Sequence, residues 1–140
     1  MAIDSTRRAK TFGAARERGA IIADDIMIRA DMVTGDELAA KFNMSRQMIN
    51  MRFRNGQLLA LSTAKRGRRY PTLQFDCNGR LLPGIAQVIA HFNGDSWGAW
   101  RFLSATHIEL ESRTAFEALK GGKVDEVMKL LTAISDGAFS

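Results

Sequence analysis

Polar and basic positions fill residues 1–17 without a sustained apolar period, so this stretch is expected to fray or to serve as an arm. From Gly19 to Asp31 the pattern predicts a first helix, with Ile22, Ile26 and Arg29 marking a partly apolar side. Thr34-Gly35-Asp36-Glu37 then has the form of a capping box, in which the hydroxyl accepts a backbone N–H and the carboxylate reaches back to the cap. Leu38, Ala39 and Phe42 follow as the buried side of a short helix. Asn43 tolerates a left-handed turn, and Ser45 can cap a second helix that runs to about Phe53 and stops at Arg54-Asn55-Gly56.

The period then changes. Two β-prone runs, Leu58–Thr63 and Arg69–Phe75, flank Ala64-Lys65-Arg66-Gly67-Arg68, which predicts a hairpin with a basic tip. Pro71 is expected to put the second of these strands on an edge. Asp76-Cys77-Asn78-Gly79 reads as a turn and as the boundary between two units, 1–78 and 79–140.

The second unit is helical throughout. Pro83 suits a first helical position, and Ile85, Val88, Ile89 and Phe92 recur at i, i+3, i+4 and i+7. Gly94 ends that helix, and Asp95 or Ser96 caps the next, which carries Trp97, Trp100 and Leu103. Thr114-Ala115-Phe116-Glu117 is a second capping box, closed by Gly121-Gly122. A last helix shows Val124, Val127, Met128, Leu131 and Ile134 on one face, with Gly137 as its stop. The expected architecture is mainly α: an N-terminal helix–turn–helix with a basic β-hairpin, then a small four-helix domain.

Composition adds limits. At 140 residues and 46% hydrophobic, the chain can bury a core without a disulfide or metal staple. Its single cysteine, Cys77, rules out a disulfide framework and a thiolate zinc cage. The opening Met-Ala-Ile-Asp-Ser-Thr does not read as a charged-then-apolar leader, and no apolar run reaches the ~18 residues of a membrane span, so the expectation is a cytoplasmic protein.

Charge changes the picture more. Residues 1–80 hold 15 Lys/Arg against 8 Asp/Glu, whereas residues 81–140 hold 5 against 7. From Leu38 to Phe75 there are eight basic residues (Lys41, Arg46, Arg52, Arg54, Lys65, Arg66, Arg68, Arg69) and no acid. A solvated surface normally interleaves both signs, so a one-sign stretch of this length implies a polyanionic partner.

Candidate catalytic chemistry is sparse. His91 and His107 stand in no ligand-type spacing, and the adjacent Asp24 and Asp25 read as solvated carboxylates. Cys77 has no basic partner nearby in sequence to activate it, and Gly121-Gly122 lacks the preceding strand that a phosphate cradle needs. The expectation is therefore no enzyme, no metal and no cofactor.

Residues Val33–Ile49 carry the grammar of a DNA-binding helix pair. Ala39 is small enough for close helix approach, Asn43 makes the turn, and Leu38, Phe42, Met44 and Ile49 fill the space between the helices. Arg52 stands where an apolar residue is usual, and Phe53 can take over its packing. Short helix pairs also occur in proteins that never touch DNA, and it is the charge that favours DNA here. Ser45, Arg46, Gln47, Asn50, Arg52 and Arg54 are the candidates to read base edges or grip phosphate, with Lys65, Arg66, Arg68 and Arg69 as a wing along the duplex backbone. Met44, Met48 and Met51 are expected to fill gaps in the core. Trp97 and Trp100, at i and i+3, suit either core or an interface, and the apolar tail Gly137-Ala138-Phe139-Ser140 suits a protein-binding module.

The C-terminal half resembles the toxin-binding domain of the Xre/MbcA/ParS antitoxin family. The likeness runs through Trp97-Gly98-Ala99-Trp100-Arg101-Phe102-Leu103, Arg113-Thr114-Ala115-Phe116-Glu117-Ala118-Leu119, Gly121-Gly122, Val127, Leu130-Leu131 and Asp136-Gly137. Ser112 and Ala115 replace the family's usual Gly and Pro around the Arg-Thr pair, and the preceding loop is shorter and more acidic. The resemblance implies an antitoxin that pairs with a RES-domain toxin, an enzyme that consumes NAD or transfers ADP-ribose from it. It further implies a homodimer, or a toxin–antitoxin hetero-oligomer, that binds operator DNA in its own promoter. Trp97, Trp100, Arg113 and the tail Asp136, Gly137, Ala138, Phe139 and Ser140 would then face the toxin, and the tail would occlude its active site. An apolar tail ending in a carboxylate also suits a cleft built for an anionic dinucleotide. The alternative is a phage or plasmid winged-helix regulator without a toxin, its C-terminal helices serving for dimerisation.

Overall fold

The computed structural model of the chain describes residue 19 and residues 22–137, the last two through their backbone alone. The expected N-terminal arm, residues 1–17, lies outside them. The first helix, α1, is helical over residues 22–27 and stops short of Asp31. The chain turns through residues 28–31, where the Met32 amide donates to the Arg29 carbonyl at 3.0 Å. A two-residue strand, β1 (Met32–Val33), follows and was not expected, since two residues carry no readable alternation.

α2 (Gly35–Phe42) begins as the sequence predicts, with both limbs of the capping box made. The Glu37 amide donates to Thr34 Oγ1 at 3.2 Å, and the Thr34 amide donates to Glu37 Oε1 at 3.0 Å. Asn43 adopts the left-handed conformation, at φ 53° and ψ 48°, and redirects the chain into α3 (Arg46–Arg54). Ser45 caps α3 by accepting the Met48 amide at 3.0 Å. The hairpin consists of β2 (Leu61–Thr63) and β3 (Gly67–Pro71), with Ala64-Lys65-Arg66 at its tip.

Because β1 pairs antiparallel with β3, the sheet order is β1-β3-β2 and β3 is central. Pro71 therefore does not lie on an edge strand. It ends the central strand opposite Met32, where its missing N–H interrupts no further ladder. A 3-10 turn over Thr72–Gln74 then buries a side chain that composition does not single out. The fully buried Gln74 amide donates to the Leu59 and Pro71 carbonyls at 2.9 and 3.0 Å and accepts the Leu59 amide at 2.8 Å. It thereby substitutes for a strand partner along the irregular run before β2. Each buried polar group left without these bonds would cost about 1–3 kcal/mol.

α4 (Ile85–Phe92) starts two residues beyond Pro83, so the proline precedes the helix instead of opening it. Gly84 supplies the positive φ of 97° at the cap, and a Cβ there would press on Leu119 at 2.9 Å. Asp95 caps α5 (Ser96–Ser104), with the Gly98 amide bonded to its carboxylate at 2.9 Å. A small ribbon that the helical pattern did not reveal joins β4 (Thr106–His107) to β5 (Arg113–Thr114). The second capping box forms at Thr114 and Glu117 and opens α6 (Ala115–Lys120), and α7 (Val124–Gly137) closes the described chain. Gly137, expected to stop this helix, is part of it. A glycine at a helix end costs at most about 1 kcal/mol against alanine and does not by itself end the ladder.

The fold is mostly helical with a small antiparallel sheet. Its apolar side chains form two clusters. The smaller holds Val33, Leu38, Ile49, Leu58, Ala60, Tyr70 and Phe75, with Phe42, Met44 and Phe53 packed against it. The larger lies among α4 to α7 around Trp100, Leu103, Phe116 and Leu131. Met27, Met32, Leu59 and Leu61 from the first half also belong to it, so the turn at 76–79 does not divide the apolar packing. No described helix is long and apolar enough to cross a membrane.

Candidate nucleic-acid interface

The inner side of α3 is set by Ile49, fully buried, and by Phe53, half-buried four residues later. The opposite side presents Gln47 and Arg54 to solvent, with Asn50 half-buried at its margin, while the exposed Arg46 leans back onto the start of α2. The hairpin meets α3 on its Phe53 side through one contact. The Arg68 guanidinium lies 3.9 Å from the centroid of the Phe53 ring, a cation–π approach that ties β3 to α3. Lys65, Arg68 and the exposed residues of α3 are thus presented by elements that touch each other.

The ten residues proposed from sequence separate into three kinds. Arg46, Gln47, Arg54, Lys65 and Arg68 are exposed. Arg46 bonds Asp36 at 2.9 Å, but the two side chains are 50% and 88% exposed, and such a surface pair is easily exchanged for a phosphate. Ser45 is occupied as a cap, Asn50 is half-buried, and the half-buried Arg52 directs Nη1 at the Met44 sulfur, 3.7 Å away.

Arg66 and Arg69 form the third kind, because α1 takes them, whereas the exposed Lys65 approaches the same Asp24 only at 3.7 Å. Arg66 Nε bonds Asp24 Oδ1 at 2.8 Å, with a longer contact of 3.5 Å from Nη2 to the other oxygen. Arg69 Nη1 donates to the Met27 carbonyl at 2.7 Å, near the end of α1. Asp24 is thus an anchor for the hairpin, not the solvated carboxylate that its sequence neighbourhood implies. The hydrogen bond from Arg66, aided by the charges of Arg66 and Lys65, holds its carboxyl below the usual carboxylate range. Glu37 is lowered too, first by the Thr34 backbone N–H that its carboxylate accepts.

The methionines depart from expectation. Met44 packs against the smaller cluster, but Met48 and Met51 are 37% and 48% exposed on α3. Their identity alone could not reveal this, because a methionine suits both core and surface.

The proposed toxin-facing residues are scattered. Trp100 is 2% exposed and belongs to the core, with the Arg29 guanidinium 5.6 Å from its ring. Trp97 is half-buried and donates from Nε1 to the Ser62 carbonyl at 3.3 Å, which joins α5 to the hairpin. Arg113 is exposed and pairs with Glu111 at 3.3 Å. Asp136 and Gly137 are the last residues of α7, and Ala138, Phe139 and Ser140 lie outside the described residues.

Among the described residues no group of three His, Cys, Asp or Glu side chains could hold a metal ion. His91 Nε2 and Ser135 Oγ are 2.6 Å apart and exposed, and no described carboxylate bonds the imidazole. His107 Nε2 lies 2.9 Å from the Phe102 carbonyl.

No family model and no curated protein matches the chain. Among solved structures it is similar to the NMR structure of Rv2175c, at 18% identity and a TM-score of 0.57 over 76% of this chain and 84% of that one. At that identity the similarity is one of fold.

Proposed function

We propose that the protein is a transcriptional regulator that binds double-stranded DNA, with α2 and α3 as a helix–turn–helix and β2–β3 as its wing. α3 lies in the major groove, and Lys65 and Arg68 meet the flanking phosphates. One observation carries the reading. The Arg68–Phe53 contact sets the hairpin, with its exposed Lys65 and Arg68, against α3, in a stretch of eight basic residues without an acid. Gln47 and Asn50 are the side chains suited to adenine edges, and Arg46 and Arg54 to guanine or phosphate. Arg66 and Arg69 leave the list of contacts and become the supports that hold the wing.

Binding by this surface should be salt-steep, and Lys65→Ala or Arg68→Ala should each flatten the log–log salt dependence by about one unit. Gln47→Ala should relax sequence preference by about 1–3 kcal/mol at one base pair. Titration of promoter fragments at several salt concentrations checks both, and wild-type slopes in both wing variants would refute the wing.

The antitoxin reading is carried by the C-terminal resemblance and is favoured by one further feature. The Arg113-Thr114 pair of the resemblance leads through a complete capping box into α6, which packs with α7 in the larger core. On this reading the partner is a RES-domain toxin, and the chain neutralises it with the tail from Asp136 to Ser140. Co-purification with such a toxin encoded by a neighbouring gene tests it, as does loss of neutralisation on deleting residues 137–140. A shortened chain that still silences the toxin would move inhibition to the Trp97–Leu103 helix.

A further inference from the structure

Met48 and Met51 are large apolar side chains on the open side of a helix whose own core does not use them. Gln47, Met51 and Arg54 follow at i, i+4 and i+7, so Met51 stands between a candidate base-reading amide and a candidate guanidinium, opposite Ile49 and Phe53. Met48 is three residues before Met51 and extends the same apolar patch along α3. Single exposed apolar residues are ordinary, but here two stand side by side on the open side of a helix that carries no acid.

The charge of this stretch decides what can cover the pair. Arg54 adjoins Met51 on the open side of α3, and the chain from Leu38 to Phe75 contains no acid to offset its charge or that of the other basic residues. A second copy docking through this face would bring like charges together. A partner that is anionic at its edges and apolar at its centre fits, and the major groove has that pattern: phosphates on both sides, with the 5-methyl of thymine as the apolar group on its base edges. A thioether is unbranched and adaptable, so it can follow a methyl group without displacing the neighbouring polar contacts.

We infer that Met48 and Met51 are specificity-determining residues that read thymine methyl groups, so that the protein selects A·T pairs beside the bases met by Gln47 and Asn50. The inference rests on the DNA-binding reading above and adds to it the base class at the centre of each site. The amides and the thioethers then act on the same kind of pair, with an adenine edge for one and the methyl of a thymine for the other.

The test uses the full chain and a duplex selected with it from a random library. Each thymine of that duplex is replaced in turn by deoxyuridine, which removes the methyl and leaves every hydrogen-bonding atom. At one or two positions the change should weaken wild-type binding by about fourfold, the effect of roughly one methyl-sized group leaving an apolar contact. Met51→Ala or Met48→Ala should bind the thymine and uracil duplexes equally at the corresponding position, and Met51→Leu should retain the preference. Thermal melting of the variants, whose substituted side chains are partly exposed, verifies that they fold. A library that yields no preferred duplex overturns the DNA-binding reading itself. A preferred duplex in which no thymine methyl matters, or in which it matters equally to wild type and both alanine variants, overturns this inference alone.

Discussion

The smaller apolar cluster holds seven buried residues beneath α2, α3 and the hairpin, whereas the larger holds nineteen, most of them from the C-terminal helices. The smaller one supports a surface on which like charges repel, and the larger supports a surface of mixed sign. Both halves use the same device to start a helix, a threonine with a glutamate three residues later. The difference between them is therefore one of margin. α2 and α3 rest on the smaller cluster and are joined to the rest by the Gln74 bridge and the hairpin, which Asp24 anchors, while the C-terminal helices share the larger core with α1, β1 and β2.

The largest test of that difference is a matched pair of core deletions. Ile49→Ala and Leu103→Ala each remove a fully buried aliphatic side chain and should each cost about 2–5 kcal/mol. In Ile49→Ala the loss should fall on hydrogen-exchange protection in α2 and α3 and abolish the proposed DNA binding while α5 to α7 stay protected. In Leu103→Ala protection should fall throughout, because its cluster includes residues of α1, β1 and β2. Equal loss of protection everywhere in both variants would show one cooperative core.

A smaller effect is expected at the caps. Thr34→Ala and Thr114→Ala each remove a hydroxyl that accepts the amide of a glutamate, worth about 1 kcal/mol. Denaturant unfolding should show similar losses, but only Thr34→Ala should also weaken DNA binding, because α2 supports α3. A reduced affinity in Thr114→Ala would mean that the two halves communicate.

The smallest effect belongs to Asp24, whose folded carboxyl titrates below its ordinary range because Arg66 bonds its ionised form. A group lowered in this way stabilises the fold above its unfolded pKa and loses that contribution as pH falls through the unfolded and then the folded value. Wild type should therefore be more stable than Asp24→Asn at pH 7, with the gap closing as the pH falls below about 4, the ordinary aspartate value. Urea midpoints at several pH values measure this. A gap that stays constant down to pH 2 would show that the anchor works by shape instead of charge.

The local signals were legible because they act over three or four residues. Thr34 and Glu37, Asn43, Ser45, Asp95, and Thr114 and Glu117 all do what their spacing predicts, since a cap is satisfied within one turn of the chain. The basic stretch from Leu38 to Phe75 was equally plain, because net charge does not depend on folding.

Local periodicity and composition dictate the set of helices, most of their starts and the charged character of the first half. Which arginines of that half are free was decided by the tertiary structure. Arg66 and Arg68 are two residues apart on one hairpin, yet one bonds Asp24, 42 positions earlier, and the other stacks on Phe53 and stays exposed. Trp100 and Met51 divided in the same manner, the tryptophan into the core and the methionine onto the surface. Composition assigns a side chain its chemistry, but only the packing of distant segments decides whether a guanidinium meets a carboxylate first, and whether an apolar group finds a core or is left for a partner.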